Sequence, residues 1–390
     1  MALRATGATA GTAVRSGLLF LSLTALLGAT SCGSSQQGAA TPSQSPGASA
    51  AVSCPKVAAP PATATPLSEA PGSTGLQATI ATPDGPAGVA IGFGSVWVAV
   101  HRGADVVRVD PTTNAVVATV HIPPFEGHAS TAMGPITVGP DGVWLPIIGG
   151  LDEENNTVPN QLMRVDPSTN SISFDEDFDG LYDVSDDASG VWAGVDPGQS
   201  LAVKRQELIK VDPATGQKGR TIDLGPAEAA AAYTAAFGAG FGSLWVTTAG
   251  NKVERIDPAS GQVIARIDTL GPAQQVVAGG PGADVFLPVT FGSNRAAVAR
   301  VDPATNCVDA VAFVGTTDAE GSIAVAASPT RVYVNFGKGS LAEVDPATMQ
   351  TTRSVNLDTQ DFLGYIRYGF GSIWVPTFGN NSVLRLAPLG

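Results

Sequence analysis

Gly92-Phe93-Gly94-Ser95-Val96-Trp97-Val98 recurs along this 390-residue chain and decides its fold. Close copies stand at residues 240–246 and 369–375, and weaker copies end in a Trp at positions 144 and 192. A Phe and a Tyr fill the same place in the two least regular copies. The aromatic positions are 41 to 53 residues apart, which suits a four-stranded β-propeller blade with its loops. The seven positions are Trp97, Trp144, Trp192, Trp245, Phe286, Tyr333 and Trp374.

A second motif follows each aromatic position except the last. At residues 108–114 it reads Arg-Val-Asp-Pro-Thr-Thr-Asn, and further copies begin at residues 164, 210, 255, 300 and 343. Asp and Pro open a tight turn, and Asn or Gly takes the left-handed position that closes it. The motif therefore predicts a hairpin between the third and fourth strands of each blade. Its repeated aspartates are turn residues and not a catalytic carboxylate set.

The last unit is cut short, because residues 383–388 supply only its third strand. The missing outer strand is available near the other end of the chain, at residues 76–81. We therefore predict an all-β fold over residues 75–390: a seven-bladed β-propeller with four-stranded blades, closed by an N-terminal strand that pairs with the last blade. Closure removes the exposed sheet edges that an open stack of blades would leave.

Together the two motifs resemble those of bacterial propellers of the YVTN and virginiamycin B lyase-like group. The resemblance covers residues 76–390 and implies the fold, whereas propellers host many activities. Virginiamycin B lyase-like enzymes use a divalent metal with histidine and glutamate bases in the later blades. The histidines of this chain are His101, His121 and His128, and no histidine lies after residue 128. No catalytic residue of that family therefore has a matching position here.

The N-terminus resembles a bacterial lipoprotein signal. Arg4 and Arg15 precede an apolar run at residues 18–27, and small residues lead to Cys32, the predicted site of lipidation. The alternative is an ordinary secretory signal with an incidental cysteine. We predict a signal peptide at residues 1–31 and a lipidated, flexible tether at residues 32–74. This predicts a protein on the extracytoplasmic face of the cell membrane, with the lipid bilayer as a partner through the anchor.

Charge argues against one class of partner. The formal net charge is −13, and Lys and Arg are scattered without a basic patch. Nucleic acid is therefore not an expected partner.

Candidate ligand-binding residues follow from the fold, because the loops between strands 2 and 3 and between blades open on one face of a propeller. Ionisable side chains fall in those loops at six selected positions: His101, Glu126, His128, Asp196, Tyr365 and Arg367. The leading hypothesis is a non-enzymatic binding or scaffold module for an unidentified protein or small-molecule ligand. The alternative is a metal-assisted lyase or hydrolase.

Calcium is the one cofactor for which the sequence offers a candidate site. Residues 175–186 read Asp-Glu-Asp-Phe-Asp-Gly-Leu-Tyr-Asp-Val-Ser-Asp, with acidic residues spaced as in a calcium loop. The opposing interpretation places residues 171–177 in an outer strand, whose alternate carboxylates face solvent. The candidate ligands are Asp175, Asp177, Asp179, Asp183 and Asp186.

Two cysteines remain after Cys32. Cys54 lies where the tether ends, and Cys307 follows the hairpin turn of the fifth blade. An exported protein meets an oxidising compartment, so we predict a Cys54–Cys307 disulfide that straps the N-terminal arm to the ring. The alternative is two unpaired thiols.

Overall fold

The computed structural model confirms a seven-bladed β-propeller. The described residues belong to the compact unit Val52–Gly390, and their regular elements are all β-strands. Within this part of the chain, no helix is long and apolar enough to cross a membrane. The structure describes residues 53–61, 74–102, 105–123, 132–133, 135–148, 160–196, 204–227, 236–248, 251–273, 275–278, 284–292, 294–317, 323–357, 359 and 363–388.

Each blade is an antiparallel sheet whose strands follow one another outward from the centre of the ring. The inner strand of blade 2 is split, so that two short segments pair with the same second strand. Blade 1 contains β2 Pro86–Gly92, β3 Ser95–Val100, β4 Asp105–Asp110 and β5 Ala115–His121. Blade 2 contains β6 Ala132–Met133, β7 Thr137–Gly139, β8 Gly142–Ile148, β9 Asn160–Asp166 and β10 Ser171–Phe178. Blade 3 contains β11 Leu181–Asp187, β12 Gly190–Val195, β13 Lys204–Val211 and β14 Lys218–Ala227.

Blade 7 takes its outer strand from the N-terminal side of the chain, as predicted. Ile80 pairs with Val383, and Ala81 with Ser382. The strands of blades 4 to 7 are β15 Phe237–Gly240, β16 Ser243–Thr248, β17 Lys252–Ile256 and β18 Val263–Asp268; β19 Val277–Ala278, β20 Val285–Phe291, β21 Arg295–Asp302 and β22 Cys307–Thr316; β23 Ala324–Ala327, β24 Val332–Phe336, β25 Ser340–Asp345 and β26 Gln350–Asn356; β27 Arg367–Gly369, β28 Ser372–Thr377, β29 Ser382–Leu386 and β1 Leu76–Ala81.

The core is divided among the interfaces between blades. All seven repeated aromatic side chains lie on the second strand of their blade and are at most 1 % exposed. Trp97, for example, packs with Val143 and Leu145 of blade 2. The ring closes in the same way, since Trp374 packs with Val96 and Val98 of blade 1. The aromatic residues therefore hold blades together and do not line the channel.

The two sequence motifs meet in a bridge between neighbouring blades, which we call the arginine bridge. The Arg108 guanidinium lies 4.9 Å from the centre of the Trp97 ring, and its Nε donates to the Ser95 hydroxyl at 2.8 Å. Its Nη1 donates to the Pro167 carbonyl and to Asn170 Oδ1, both at 2.8 Å, in the turn of blade 2. The bridge thus joins the tryptophan motif of one blade to the hairpin turn of the next.

The same bridge recurs at two other interfaces. Arg255 of blade 4 and Arg385 of blade 7 donate to Asn306 and Asn114 of the following blade, each at 2.8 Å. These asparagines, like Asn170, have φ between 55° and 59°. Asn therefore serves twice in the turn, because it tolerates the left-handed conformation and supplies an acceptor.

Blade 6 carries Glu343 where the bridge has arginine. Blade 7 offers no hairpin turn to receive a donor there, because its third and fourth strands come from opposite ends of the domain. Glu343 is 3 % exposed and instead accepts from Arg331 Nε at 3.0 Å. The change from arginine to glutamate follows from ring closure.

The N-terminal arm is strapped to blade 5. The structure joins Cys54 to Cys307, as predicted, with the two Cα atoms 5.4 Å apart. Val57 packs against the core between blades 4 and 5, and the Pro61 carbonyl accepts from Arg295. Residues 53–61 fall within the stretch assigned to the tether, yet they pack on the propeller.

We expect Arg385→Met to lower the free energy of unfolding by about 2 kcal/mol, because it removes charged hydrogen bonds to the Pro111 carbonyl and Asn114 at the closing interface. Denaturant unfolding measures the change. The matched control is Arg102→Met, which breaks a pair with Asp84 in which both side chains are more than half exposed. The control should cost less than about 1 kcal/mol. Equal losses in the two variants would contradict the bridge.

Candidate functional site

A cavity of about 280 Å³ lies at the centre of the ring. Its walls are the inner strands and adjoining loop residues of blades 2 to 7. Clefts of this kind, in which a few polar groups converge among apolar ones, are the usual binding sites of proteins. Four of the lining residues, Asp183, Asp186, Tyr365 and Arg367, carry the ionisable chemistry discussed below and are called the channel site.

Arg367 departs from the repeat. It pairs with Trp374, and in the six other blades the inner residue that pairs with the central aromatic is small or uncharged. Those equivalents are Ala90, Thr137, Ser185, Gly238, Val277 and Ala326. A residue shared by every blade serves the repeat, whereas a half-buried charge that the other blades lack at this position requires another reason. Arg367 is therefore a candidate for function.

Asp183 departs in the same way on the inner strand of blade 3. It pairs with Gly194, two residues after Trp192, where blades 1 and 6 have Gly88 and Ala324. The side chain is buried, and its carboxylate accepts backbone hydrogen bonds from Val184 at 2.8 Å and Phe237 at 3.2 Å. Burial raises the pKa of Asp183 to about 7, although these hydrogen bonds and Arg367 act in the opposite direction.

Asp186 faces blade 2 from the same strand. Its Oδ2 accepts from the Trp144 indole at 2.9 Å and from the Asp141 backbone at 3.0 Å. Its Oδ1 is buried without a hydrogen-bond partner, and the residue is 7 % exposed. Burial raises the pKa of this carboxyl as well. An unpaired buried oxygen is costly, and this one is enclosed by protein atoms and is not exposed to the cavity.

Tyr365 is held in place by its backbone. Its N–H donates to the Ala87 carbonyl at 3.0 Å, and its carbonyl accepts from Val89 at 3.2 Å. The preceding residue, Gly364, permits this approach, because a Cβ there would overlap the Ala87 carbonyl oxygen. Burial, and then the charge of Asp183, raise the pKa of Tyr365 to about 12, so its phenol is protonated at neutral pH.

Opposite charges thus face one cavity without pairing directly. Arg367 Nη1 donates to the Ile366 carbonyl at 2.9 Å, and burial lowers the pKa of the guanidinium, which stays charged at neutral pH. Asp183 and Arg367 influence each other electrostatically but form no salt bridge. Tyr182, beside Asp183, has a buried hydroxyl without a hydrogen-bond partner.

Two of the six predicted ligand-face residues, Tyr365 and Arg367, line the cavity. His101 lies in the loop after β3, its ring 5.7 Å from that of Phe378, and Asp196 follows β12; neither lines the cavity. Glu126 and His128, like Cys32, fall outside the described residues.

The structure does not bring the five aspartates of the candidate calcium loop together. Asp175 and Asp177 lie exposed on β10, the outer strand of blade 2, whereas Asp183 and Asp186 are buried on β11, the inner strand of blade 3. Asp179 lies in the turn between those strands. Across the described residues, no group of three or more His, Cys, Asp or Glu side chains is arranged to hold a metal ion. The alternative interpretation, an outer strand, is the observed one.

The sequence contained a signal that would have placed Asp183 correctly. Val89 pairs with the residue after Trp97, and Phe237 with the residue after Trp245. Val184 stands in the same register relative to Trp192. Counting back from each tryptophan assigns Asp183 and Asp186 to an inner strand and not to a loop.

Comparisons with known proteins support the fold. No protein-family model matches the chain, and no curated protein matches it in sequence. Among solved structures, catalytically inactive virginiamycin B lyase from Staphylococcus aureus, with quinupristin, is 14% identical with a TM-score of 0.59, covering 80% of this chain and 99% of its own. A chain of the mitotic checkpoint complex is 11% identical with a TM-score of 0.58, covering 85% of this chain and 99% of its own. A chain of hydrazine synthase from Kuenenia stuttgartiensis is 14% identical with a TM-score of 0.54, covering 82% of this chain and 99% of its own. These similarities show the propeller fold alone.

We expect the stability of the protein to fall between about pH 4 and about pH 7 through Asp183. Its folded pKa of about 7 exceeds the usual value near 3.9, so the folded state holds a proton that the unfolded state has lost. Asp183→Asn should therefore lose this difference in stability between pH 4 and pH 8, as judged by thermal unfolding. The control is Asp177→Asn on the exposed outer strand, which should change stability equally at both pH values. A wild-type-like pH dependence in Asp183→Asn would refute the assignment.

Proposed function

We propose that this propeller is a binding module whose ligand occupies the central cavity. One observation carries the proposal: Asp183 places a buried carboxyl, and Arg367 a half-buried guanidinium, on the cavity wall at positions where other blades have small or uncharged residues. Buried charges destabilise a fold unless they are compensated, so their presence at one cavity favours a ligand that compensates them.

A thermal-shift screen of small polar compounds tests the binding function. A ligand that binds only the folded state stabilises it by about 2.7 kcal/mol at one hundred times its Kd. We expect such a ligand to raise the melting temperature of the wild type but not that of Arg367→Met. Arg102→Met, on the exposed surface, is the matched control and should respond like the wild type. Ligands that stabilise wild type and Arg367→Met equally would lie elsewhere and contradict the proposal.

A lyase or hydrolase is the second candidate, and one observation favours it. Asp183 has a pKa of about 7 and faces a cavity that also contains a guanidinium, which suits a general base at neutral pH. Analysis of a bound compound by mass spectrometry after incubation separates the two functions. Turnover that is lost in Asp183→Asn while binding persists favours the enzyme; an unchanged compound favours the binding module.

We further propose that the module is anchored to the extracytoplasmic face of the cell membrane through Cys32. The support is the sequence that precedes this residue: a basic start, an apolar run and small residues. Lipid attached to Cys32 would tether the propeller without a transmembrane helix.

Replacement of the anchoring cysteine tests this part of the proposal. Cys32→Ser should abolish labelling of the protein by a fatty-acid analogue and shift it from the membrane to the soluble fraction of lysed cells. Cys54→Ser is the control, since Cys54 pairs with Cys307 and is not the lipidation site. Equal labelling of the wild type and Cys32→Ser would contradict anchoring at Cys32.

A further inference from the structure

The cavity wall is chemically divided. Blade 3 contributes the carboxyl group of Asp183, whereas blade 7 contributes the guanidinium of Arg367. Blade 5 contributes Gln275 to the cavity wall. Its Oε1 accepts a hydrogen bond from the backbone N–H of Val325 at 2.8 Å. Acidic and basic groups therefore face the same space from different blades.

Neither side is satisfied by the protein alone. Asp183 is 8 % exposed and accepts two backbone hydrogen bonds, but its carboxylate forms no salt bridge with any residue that the structure describes. Arg367 makes one side-chain hydrogen bond, to the Ile366 carbonyl, although a guanidinium has five N–H donors. The acidic wall thus lacks a paired positive charge, and the basic wall lacks acceptors and a paired negative charge.

The cavity has room for a small molecule. At roughly 30 Å³ for each water molecule, 280 Å³ holds about nine waters. This volume is sufficient for a small polar molecule. Tyr365 and Tyr368 add aromatic wall beside Arg367, which leaves room for a short apolar stem.

From this arrangement we propose that the cavity binds a small zwitterion of the amino-acid class, with its ammonium group at Asp183 and its carboxylate at Arg367. The inference rests on the proposed binding function and specifies its ligand. An ammonium group donates up to three hydrogen bonds to carboxylates, and a guanidinium matches a carboxylate in a bidentate manner. A molecule with a single charge would leave one wall uncompensated.

Isothermal titration with matched probes tests the charge pattern at pH 8. Glycine, β-alanine and 4-aminobutyrate are zwitterions of increasing charge separation, glycinamide lacks the carboxylate, and N-acetylglycine lacks the ammonium. We expect at least one zwitterion to bind about ten-fold or more tightly than either single-charge probe.

Two variants connect the probes to the two walls. Arg367→Met should weaken binding of the zwitterion about ten-fold and leave binding of glycinamide within about two-fold of the wild-type value. Asp183→Asn should weaken the zwitterion similarly and spare N-acetylglycine. Selective effects of this kind cannot arise from misfolding, which would remove the binding of every probe, and Arg102→Met should change none of them.

The outcomes separate this inference from the binding function. If the zwitterions bind no more tightly than the single-charge probes, or bind equally to both variants, the zwitterion assignment is wrong. The binding function survives that result if the thermal-shift screen finds another ligand whose effect is lost in Arg367→Met. If no compound depends on Asp183 or Arg367, both proposals fail.

Discussion

The contact between one blade and the next is the interaction on which the rest of the structure depends. A tryptophan of each regular blade is fully buried against its neighbour, and removing such a side chain typically costs about 3–5 kcal/mol. Burial alone does not fix how one blade is aligned with the next, however. The arginine bridge adds this alignment, since Arg108, Arg255 and Arg385 lie over their own tryptophan and donate to one turn of the following blade. Hydrophobic burial and directed hydrogen bonds together set the register of the ring.

Departures from this pattern have physical explanations. The change to Glu343 occurs where ring closure leaves no turn to accept a hydrogen bond, and the glutamate binds Arg331 within its own blade. In blade 2 the Trp144 indole donates to Asp186 of blade 3, whereas Trp97 donates to the Gly92 carbonyl of its own blade. One oxygen of Asp186 therefore joins blade 3 to blade 2, and the other oxygen is buried without a hydrogen-bond partner.

The channel site departs from the repeat without such an explanation. Arg367 and Asp183 stand where other blades have small or uncharged residues, and they do not neutralise each other in a salt bridge. Tyr365 and the Asp183 carboxylate are held by backbone hydrogen bonds, so the fold itself fixes their positions. A rigid ring with a few unusual inner residues is a general way for a repeat fold to acquire a function.

The sequence by itself determined the number of blades, the buried aromatic positions and the hairpin turns, because each is a local pattern that recurs along the chain. The partner of the N-terminal strand followed from the incomplete last repeat. The sequence also contained the Cys54–Cys307 pair. Only the tertiary structure decided which charges meet. The acidic stretch that reads as one calcium loop is divided between an outer and an inner strand, so Asp177 and Asp183 lie at opposite edges of neighbouring sheets. Asp183 and Arg367, far apart along the chain, instead face one cavity, since the ring brings the inner strands of all blades to a common centre.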